Sequence, residues 1–136
     1  MLRAAVARRA VAVPESPAHA LESAPRPDLP LLSLLRSLSG GLRLPDADGP
    51  VERECERRLA RTAAAEFPRR AARPSDAVDL RTLALVLPRC RYVTCDAFMA
   101  DVVRRTRLDV RFGCALFTGR RADVERLGAC LEGLDG

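Results

Sequence analysis

The chain has 136 residues, which is the size of one domain, and 48% hydrophobic with 30% charged residues indicates a globular rather than a disordered protein. All 23 basic side chains are arginines and there are 18 acidic residues, which gives a formal net charge of +5. Because Lys, Asn, Gln and Ile are all absent, the arginine excess is typical of a nucleotide bias, and the charge alone is weak evidence for nucleic-acid binding.

Bilayer insertion and secretion are not expected. No apolar run approaches the ~20 residues that span a membrane, and Arg8 and Arg9 interrupt the N-terminal apolar run, so no signal peptide is expected. The five cysteines include no Cys-x-x-Cys pair, and only one histidine is present, so a zinc site is not expected either. Reduced thiols and a cytoplasmic location are the resulting expectations.

Apolar periodicity, prolines and capping residues predict the elements in chain order. They are the end of a helix at Leu2–Arg9, a strand at Ala10–Val13, a helix from Ser16 that stops before Pro25, helices at Leu31–Leu38, Val51–Phe67 and Asp76–Leu87, a strand at Arg91–Thr94, a helix at Asp96–Arg105, a strand at Cys114–Phe117 and a helix at Arg120–Leu134. Strands that alternate with helices predict an α/β fold with a parallel sheet, in a single domain over residues 1–136.

The helix at Val51–Phe67 has the most regular pattern. Its expected apolar stripe is Val51, Cys55, Leu59 and Ala63, and its expected exposed ion pairs are Glu54 with Arg58 and Glu66 with Arg70.

The acidic residues that could do chemistry lie near expected sheet edges or helix starts. Asp96 follows the strand at Arg91–Thr94, at the carboxyl end where ligands bind in open parallel sheets; taken alone, it is better explained as the cap of the next helix. Asp76 and Asp79 lie on one side of their helix; the alternative for Asp76 is a favourable position near the helix dipole. Glu22 belongs to an earlier helix, where a solvated glutamate is the alternative.

Acids that converge from separate segments would form a site of hard oxygen ligands. Such a site suits Mg²⁺ or Mn²⁺ rather than zinc, and it matches phosphodiester hydrolysis, in which the ion activates water and neutralises charge at phosphorus. His19 is expected to pack or to support this site rather than to bind metal, since no second histidine is present.

Two stretches carry a resemblance to a known family. Ser75–Leu80 followed by Leu87–Met99 resembles the second half of a PIN-like nuclease domain, in which an acid near the start of a buried helix precedes a strand that ends in Thr-x-Asp. Val13–Glu22 is similar to the family's strand, serine and helix glutamate, and Arg111–Cys114 with the closing helix is similar to its last strand and helix. The resemblance implies a three-layer α/β fold with a short parallel sheet.

The resemblance also implies a function. Glu22, Asp79 and Asp96 would be the catalytic and metal-binding acids, Asp76 a further metal ligand and Thr94 a supporting hydroxyl at the cofactor site. The implied activity is Mg²⁺- or Mn²⁺-dependent cleavage of RNA by an endoribonuclease, often the toxin of a toxin–antitoxin pair. RNA, an antitoxin-like protein and a second copy of the chain are the expected partners.

The chain departs from the family at its start. Family members begin with a strand that ends in an aspartate, and no such strand precedes Leu2. We therefore expect a PIN-like domain that is incomplete at its N-terminus, with its first strand missing and weak or no nuclease activity.

The alternative function is a non-catalytic module that binds nucleic acid or a protein. In it, the arginines of segments Arg53–Arg73 and Arg104–Arg111 would contact phosphates, although helix faces with Glu/Arg pairs explain the same residues. One tyrosine and four phenylalanines offer little surface on which bases could stack.

Overall fold

The computed structural model of the chain describes residues 2–3, 31–40, 42–46 and 49–134. It divides the chain into two compact units, one of residues 47–124 and one of residues 1–46 with 125–136. The expectation of one domain over the whole chain stays a prediction. The predicted strand at Ala10–Val13 and the helix that carries His19 and Glu22 lie outside the described residues.

Helices and strands are mixed, as an α/β fold requires. The described elements are α1 (Leu31–Ser39), α2 (Pro50–Glu66), α3 (Asp76–Val86), β1 (Tyr92–Thr94), α4 (Ala97–Thr106), α5 (Leu108–Phe112), β2 (Ala115–Phe117) and α6 (Arg121–Gly133). Each predicted helix and strand from Leu31 onward is confirmed, with bounds that differ by one or two residues. These elements show a mixed α/β fold, and the PIN-like identity and the three-layer arrangement remain predictions.

Prolines and glycines set several of these bounds. Pro50 occupies the first turn of α2, where its missing N–H costs nothing. Pro68 and Pro88 follow the ends of α2 and α3 and cannot continue them. Gly40 ends α1 with a φ of 57°, a left-handed conformation that glycine adopts readily at the end of a helix.

β1 and β2 form a two-stranded parallel sheet, with Tyr92 opposite Ala115 and Thr94 opposite Phe117. Parallel neighbours need a long crossover, which α4 and α5 provide. Because the strands are parallel, both end at the same edge of the sheet.

The core of the unit of residues 47–124 lies between its helices and this sheet. Helix α2 contacts both α3 and α4, and one apolar cluster joins all three helices to the strands. Its fully buried members include Leu59, Leu87, Val102 and Leu108. Burial of such side chains contributes ~1.5–3 kcal/mol each to the stability of this unit.

α5 is absent from the sequence prediction. The chain turns from α4 into α5 at Arg107, which has a φ of 58°, and α5 ends at Gly113 with a φ of 63°. A helix of five residues is too short to show an apolar period, and an arginine gives no signal for a left-handed turn.

The apolar stripe and the ion pairs of α2 both differ from the sequence prediction. Cys55 and Leu59 are buried as predicted, but Val51, the first residue of the expected stripe, is 45% exposed. The expected ion pairs are replaced: Glu54 pairs with Arg57, whereas Arg58 donates to the carbonyl oxygen of Thr106.

The second expected pair of α2 also has other partners. Glu66 pairs with Arg105 of α4 at 2.6 Å, and Arg70 pairs with Asp76 of α3. Helix packing brings these residues together, so the pairs link elements rather than turns of one helix. At the start of α2, buried Glu52 pairs with Arg89, which also donates to the carbonyl oxygen of Leu85.

Among the described residues, none of the helices combines the length and the apolar character needed to cross a membrane. The five cysteines are free thiols.

Candidate carboxylate site and arginine corner

The carboxyl edge of the parallel sheet gathers polar residues. Cys95 and Asp96 follow β1, Thr118 follows β2, and the Cys95 backbone N–H donates to the Phe117 carbonyl oxygen at 3.0 Å. Thr94, the expected supporting hydroxyl, is exposed at the last position of β1. This is the edge at which the sequence places Asp96.

Asp96 caps α4. Its backbone is extended, and its Oδ1 accepts the backbone N–H of Met99 at 2.7 Å. Such a bond satisfies one of the N–H groups that the first turn of a helix leaves unpaired. The capping alternative is therefore what the structure shows, and the exposed carboxylate lies at the expected edge as well.

Charged residues from several elements influence the Cys95 thiol. The pKa of Cys95 is raised to about 11, chiefly by burial; the charges of Asp96, Asp123 and Asp79 also raise it, and the charge of Arg104 lowers it. We call Asp79 of α3, Asp96 at the start of α4 and Asp123 of α6 the carboxylate edge. At a pKa of about 11 this thiol stays protonated near neutral pH and is a poor nucleophile.

Asp123 is absent from the sequence prediction. The Thr118 backbone N–H and hydroxyl both donate to Asp123 Oδ2, at 2.8 and 2.7 Å. These bonds close the turn between β2 and α6. A threonine at a strand end, followed five residues later by an acid in a first helix turn, is the signal that could have indicated it.

Asp76 has strong partners of its own. Its Oδ2 accepts from Arg70 Nη1 at 2.7 Å and from the Arg73 backbone N–H at 2.8 Å, and its Oδ1 accepts from Arg70 Nη2 at 3.1 Å. The hydrogen bonds from Arg70, and then that from Arg73, lower the pKa of Asp76 to about 2. Both oxygens are thus bonded, although the sequence resemblance implies a metal ligand here.

The described residues do not fit a divalent-ion site on their own. Among them, no three histidine, cysteine, aspartate or glutamate side chains come together as a metal-binding group. Asp76 is bonded to Arg70 and Asp96 caps a helix, while Glu22, the remaining expected ligand, lies outside the described residues.

Basic residues collect at the other end of α4. Arg104 lies in its last turn, Arg107 forms the left-handed turn, and Arg111 lies in the last turn of α5; we call these three the arginine corner. All three are exposed, and no described carboxylate forms an ion pair with any of them. Arg105, between them, is paired with Glu66.

The unit of residues 47–124 carries the whole formal charge of the chain. It contains sixteen arginines and eleven acidic residues, a balance of +5, whereas the other unit has seven of each. Burial raises the pKa of Cys55, and the charges of Arg111 and Arg58 lower it.

No family model, curated protein or solved structure matches this chain. The geometry and the sequence patterns are therefore the basis for a proposed function.

Proposed function

We propose that the chain is a PIN-like ribonuclease domain that depends on Mg²⁺ or Mn²⁺, with Asp79 and Asp96 as its principal acids in the described part of the chain. One observation supports the proposal: Asp96 follows β1 at the edge of the sheet where the parallel strands β1 and β2 both end. Ligand sites of open parallel sheets occur at such edges. The Thr94-Cys95-Asp96 segment that resembles the family lies at the same place.

We also propose that the ribonuclease activity of the chain is low. The described residues do not complete a metal site, and Glu22 is proposed as the third acid on the sequence resemblance alone.

Labelled single-stranded RNA tests the proposal. We expect slow cleavage that needs added Mn²⁺, stops with EDTA, and is lost in Asp79→Asn and in Asp96→Asn. Asp101→Asn is the matched control, because Asp101 is exposed on α4 and lies outside the carboxylate edge. Absence of Mn²⁺-dependent cleavage at high protein concentration, or cleavage unchanged in both variants, contradicts the proposal.

A second candidate function is RNA binding without catalysis, and the unpaired, exposed arginine corner favours it. Arginines free of carboxylate partners can bind phosphates without first breaking an ion pair. This binding is independent of the carboxylate edge, so the same domain could bind RNA whether or not it cleaves it.

The salt dependence of RNA binding tests this second function. Three phosphate contacts to a single strand contribute about 2 to the slope of log affinity against log salt. Replacing Arg104, Arg107 and Arg111 together by Ser should reduce the slope by about this amount in fluorescence anisotropy.

The control variant removes the same charge elsewhere in the unit. It carries Ser at Arg53, Arg57 and Arg81, exposed arginines that are engaged in other interactions. Equal slopes in the two triple variants would show that only net charge matters and would contradict a defined phosphate surface.

A further inference from the structure

Arg107 has a backbone conformation that arginine rarely adopts. Its φ is 58° and its ψ is 23°, at the turn between α4 and α5. Among the described residues it is the non-glycine residue with a positive φ, whereas Gly40 and Gly113 occupy the left-handed positions that end α1 and α5. A Cβ atom crowds the backbone in this conformation, so an arginine is less stable here than a glycine would be.

Contacts on both sides hold this turn in place. The Thr106 hydroxyl donates to the Val103 carbonyl oxygen at 2.6 Å and accepts the Leu108 backbone N–H at 3.3 Å. The Thr106 carbonyl oxygen, in the peptide group that joins Thr106 to Arg107, accepts from Arg58 Nη2 of α2 at 2.8 Å. Thr106 and Leu108 are both buried, so the turn is anchored in the core. A strained residue persists where its surroundings fix the backbone in this way.

The Arg107 side chain makes no stabilising contact that would explain an arginine at this position. It is exposed, and no described residue forms an ion pair or a ring contact with its guanidinium. Arg105, two residues earlier, pairs with Glu66 and lies over the Phe67 ring. The N–H donors of the Arg107 guanidinium are therefore available to an anion from outside the chain.

The neighbours of Arg107 are also cations. Its backbone N–H donates to the Arg104 carbonyl oxygen at 3.1 Å, and its carbonyl oxygen accepts the Arg111 N–H at 3.0 Å. Arg58 reaches the same turn through Thr106. Several exposed arginines without carboxylate partners are complementary to a chain of phosphate groups, such as the backbone of a single RNA strand.

We propose that Arg107 is the central phosphate-binding residue of the arginine corner, in a left-handed turn that lowers stability and serves RNA binding. The inference deepens the second candidate function and rests on it. Replacement of Arg107 by glycine should therefore change stability and RNA affinity in opposite directions, which a turn with a purely structural role would not do.

The test compares Arg107→Gly with Arg107→Ala, because both variants lose the same charge and only glycine relieves the left-handed strain. In thermal unfolding followed by circular dichroism, Arg107→Gly should raise the midpoint by about 3 °C above the wild type, and Arg107→Ala should not raise it. In fluorescence anisotropy with a labelled oligouridylate at about 0.1 M salt, both should bind about fivefold more weakly, since each phosphate contact to a single strand contributes about 0.7 to the salt slope.

Two further variants separate position from charge. Arg57→Ala removes one charge from an exposed arginine that pairs with Glu54 on α2, and it should bind the oligouridylate within about twofold of the wild type. Arg107→Lys keeps the charge and the left-handed strain, so it should keep most of the affinity and gain no stability.

Oligouridylate binding by Arg107→Gly that equals binding by the wild type overturns the inference, and so does a midpoint no higher than that of Arg107→Ala. If Arg107→Gly binds normally while the triple variant of the arginine corner loses its salt slope, only the role of Arg107 is rejected and RNA binding stands. If the wild type itself does not bind the oligouridylate, both are rejected.

Discussion

The starts of α3 and α4 each carry an aspartate, and the two aspartates have different partners. Asp76 is bonded by the Arg70 guanidinium and by the Arg73 N–H, whereas Asp96 accepts the Met99 N–H of its own helix. Asp76 is half-buried and Asp96 is exposed. Two aspartates at similar helix starts thus have different bonding partners, because the Arg70 guanidinium forms an ion pair with Asp76, whereas Asp96 caps its own helix.

The difference shows why an acid near a helix start is a poor indicator of a metal ligand by itself. The connector between α2 and α3 carries Arg69, Arg70 and Arg73, and packing decides which of them faces the carboxylate. Asp96 accepts the Met99 backbone N–H of its own helix, and its side chain is exposed to solvent.

The largest effect on stability is expected at Asp76. Asp76→Ala removes the acceptor of three donors and leaves the Arg70 guanidinium, in a largely buried position, without its ion pair. The free energy of unfolding in urea should fall by more than the ~1 kcal/mol that loss of a simple helix cap costs. Asp101→Ala, at an exposed position, is the control and should change it by less than ~0.5 kcal/mol. A similar loss in both variants would remove the distinction between the two helix starts.

A smaller effect is expected at Asp96. Asp96→Ala removes one cap bond, so the free energy of unfolding should fall by ~1 kcal/mol. Asp96→Ser keeps an acceptor oxygen at the cap and should recover most of this loss in the same urea titration. If Ser and Ala give the same loss, capping is not what Asp96 contributes to stability.

The contribution of Asp76 to the free energy of unfolding should also depend on pH. The pKa of Asp76 is about 2 in the folded chain, below its ordinary value of 3.8, so its stabilising contribution is complete above pH ~4 and is lost as the pH falls toward 2. Asp76→Asn cannot ionise. The difference in unfolding free energy between wild type and Asp76→Asn, followed by urea titration, should therefore shrink between pH 5 and pH 2. A constant difference over this range would show that the charge on Asp76 is not what stabilises the pair.

Local chemistry made much of the fold predictable. Pro50 and Pro68 bracket α2, and Asp96, which caps α4, gives the start of that helix, because these residues act on the backbone beside them. α5 could not be predicted, because five residues carry no period and Arg107 is an unexpected residue for a left-handed turn.

The candidate site was predictable in part. The position of Asp96 after β1 follows from the strand and helix order alone, and the expectation for Asp79 rested on its helix face. Asp123 and Arg70 were not indicated, since their partners lie five or more residues away, in other elements or turns.

The sequence by itself therefore determined the described helices other than α5, the short strands, their parallel order and an acid at the sheet edge, because these depend on backbone conformation and apolar spacing over a few residues. The tertiary structure alone decided which charges meet. Arg70 meets Asp76 and not Glu66, and Arg105 meets Glu66, because α2, α3 and α4 pack on one core. Electrostatic interactions weaken with distance, and only packing brings residues of different helices within the ~4 Å at which an ion pair forms.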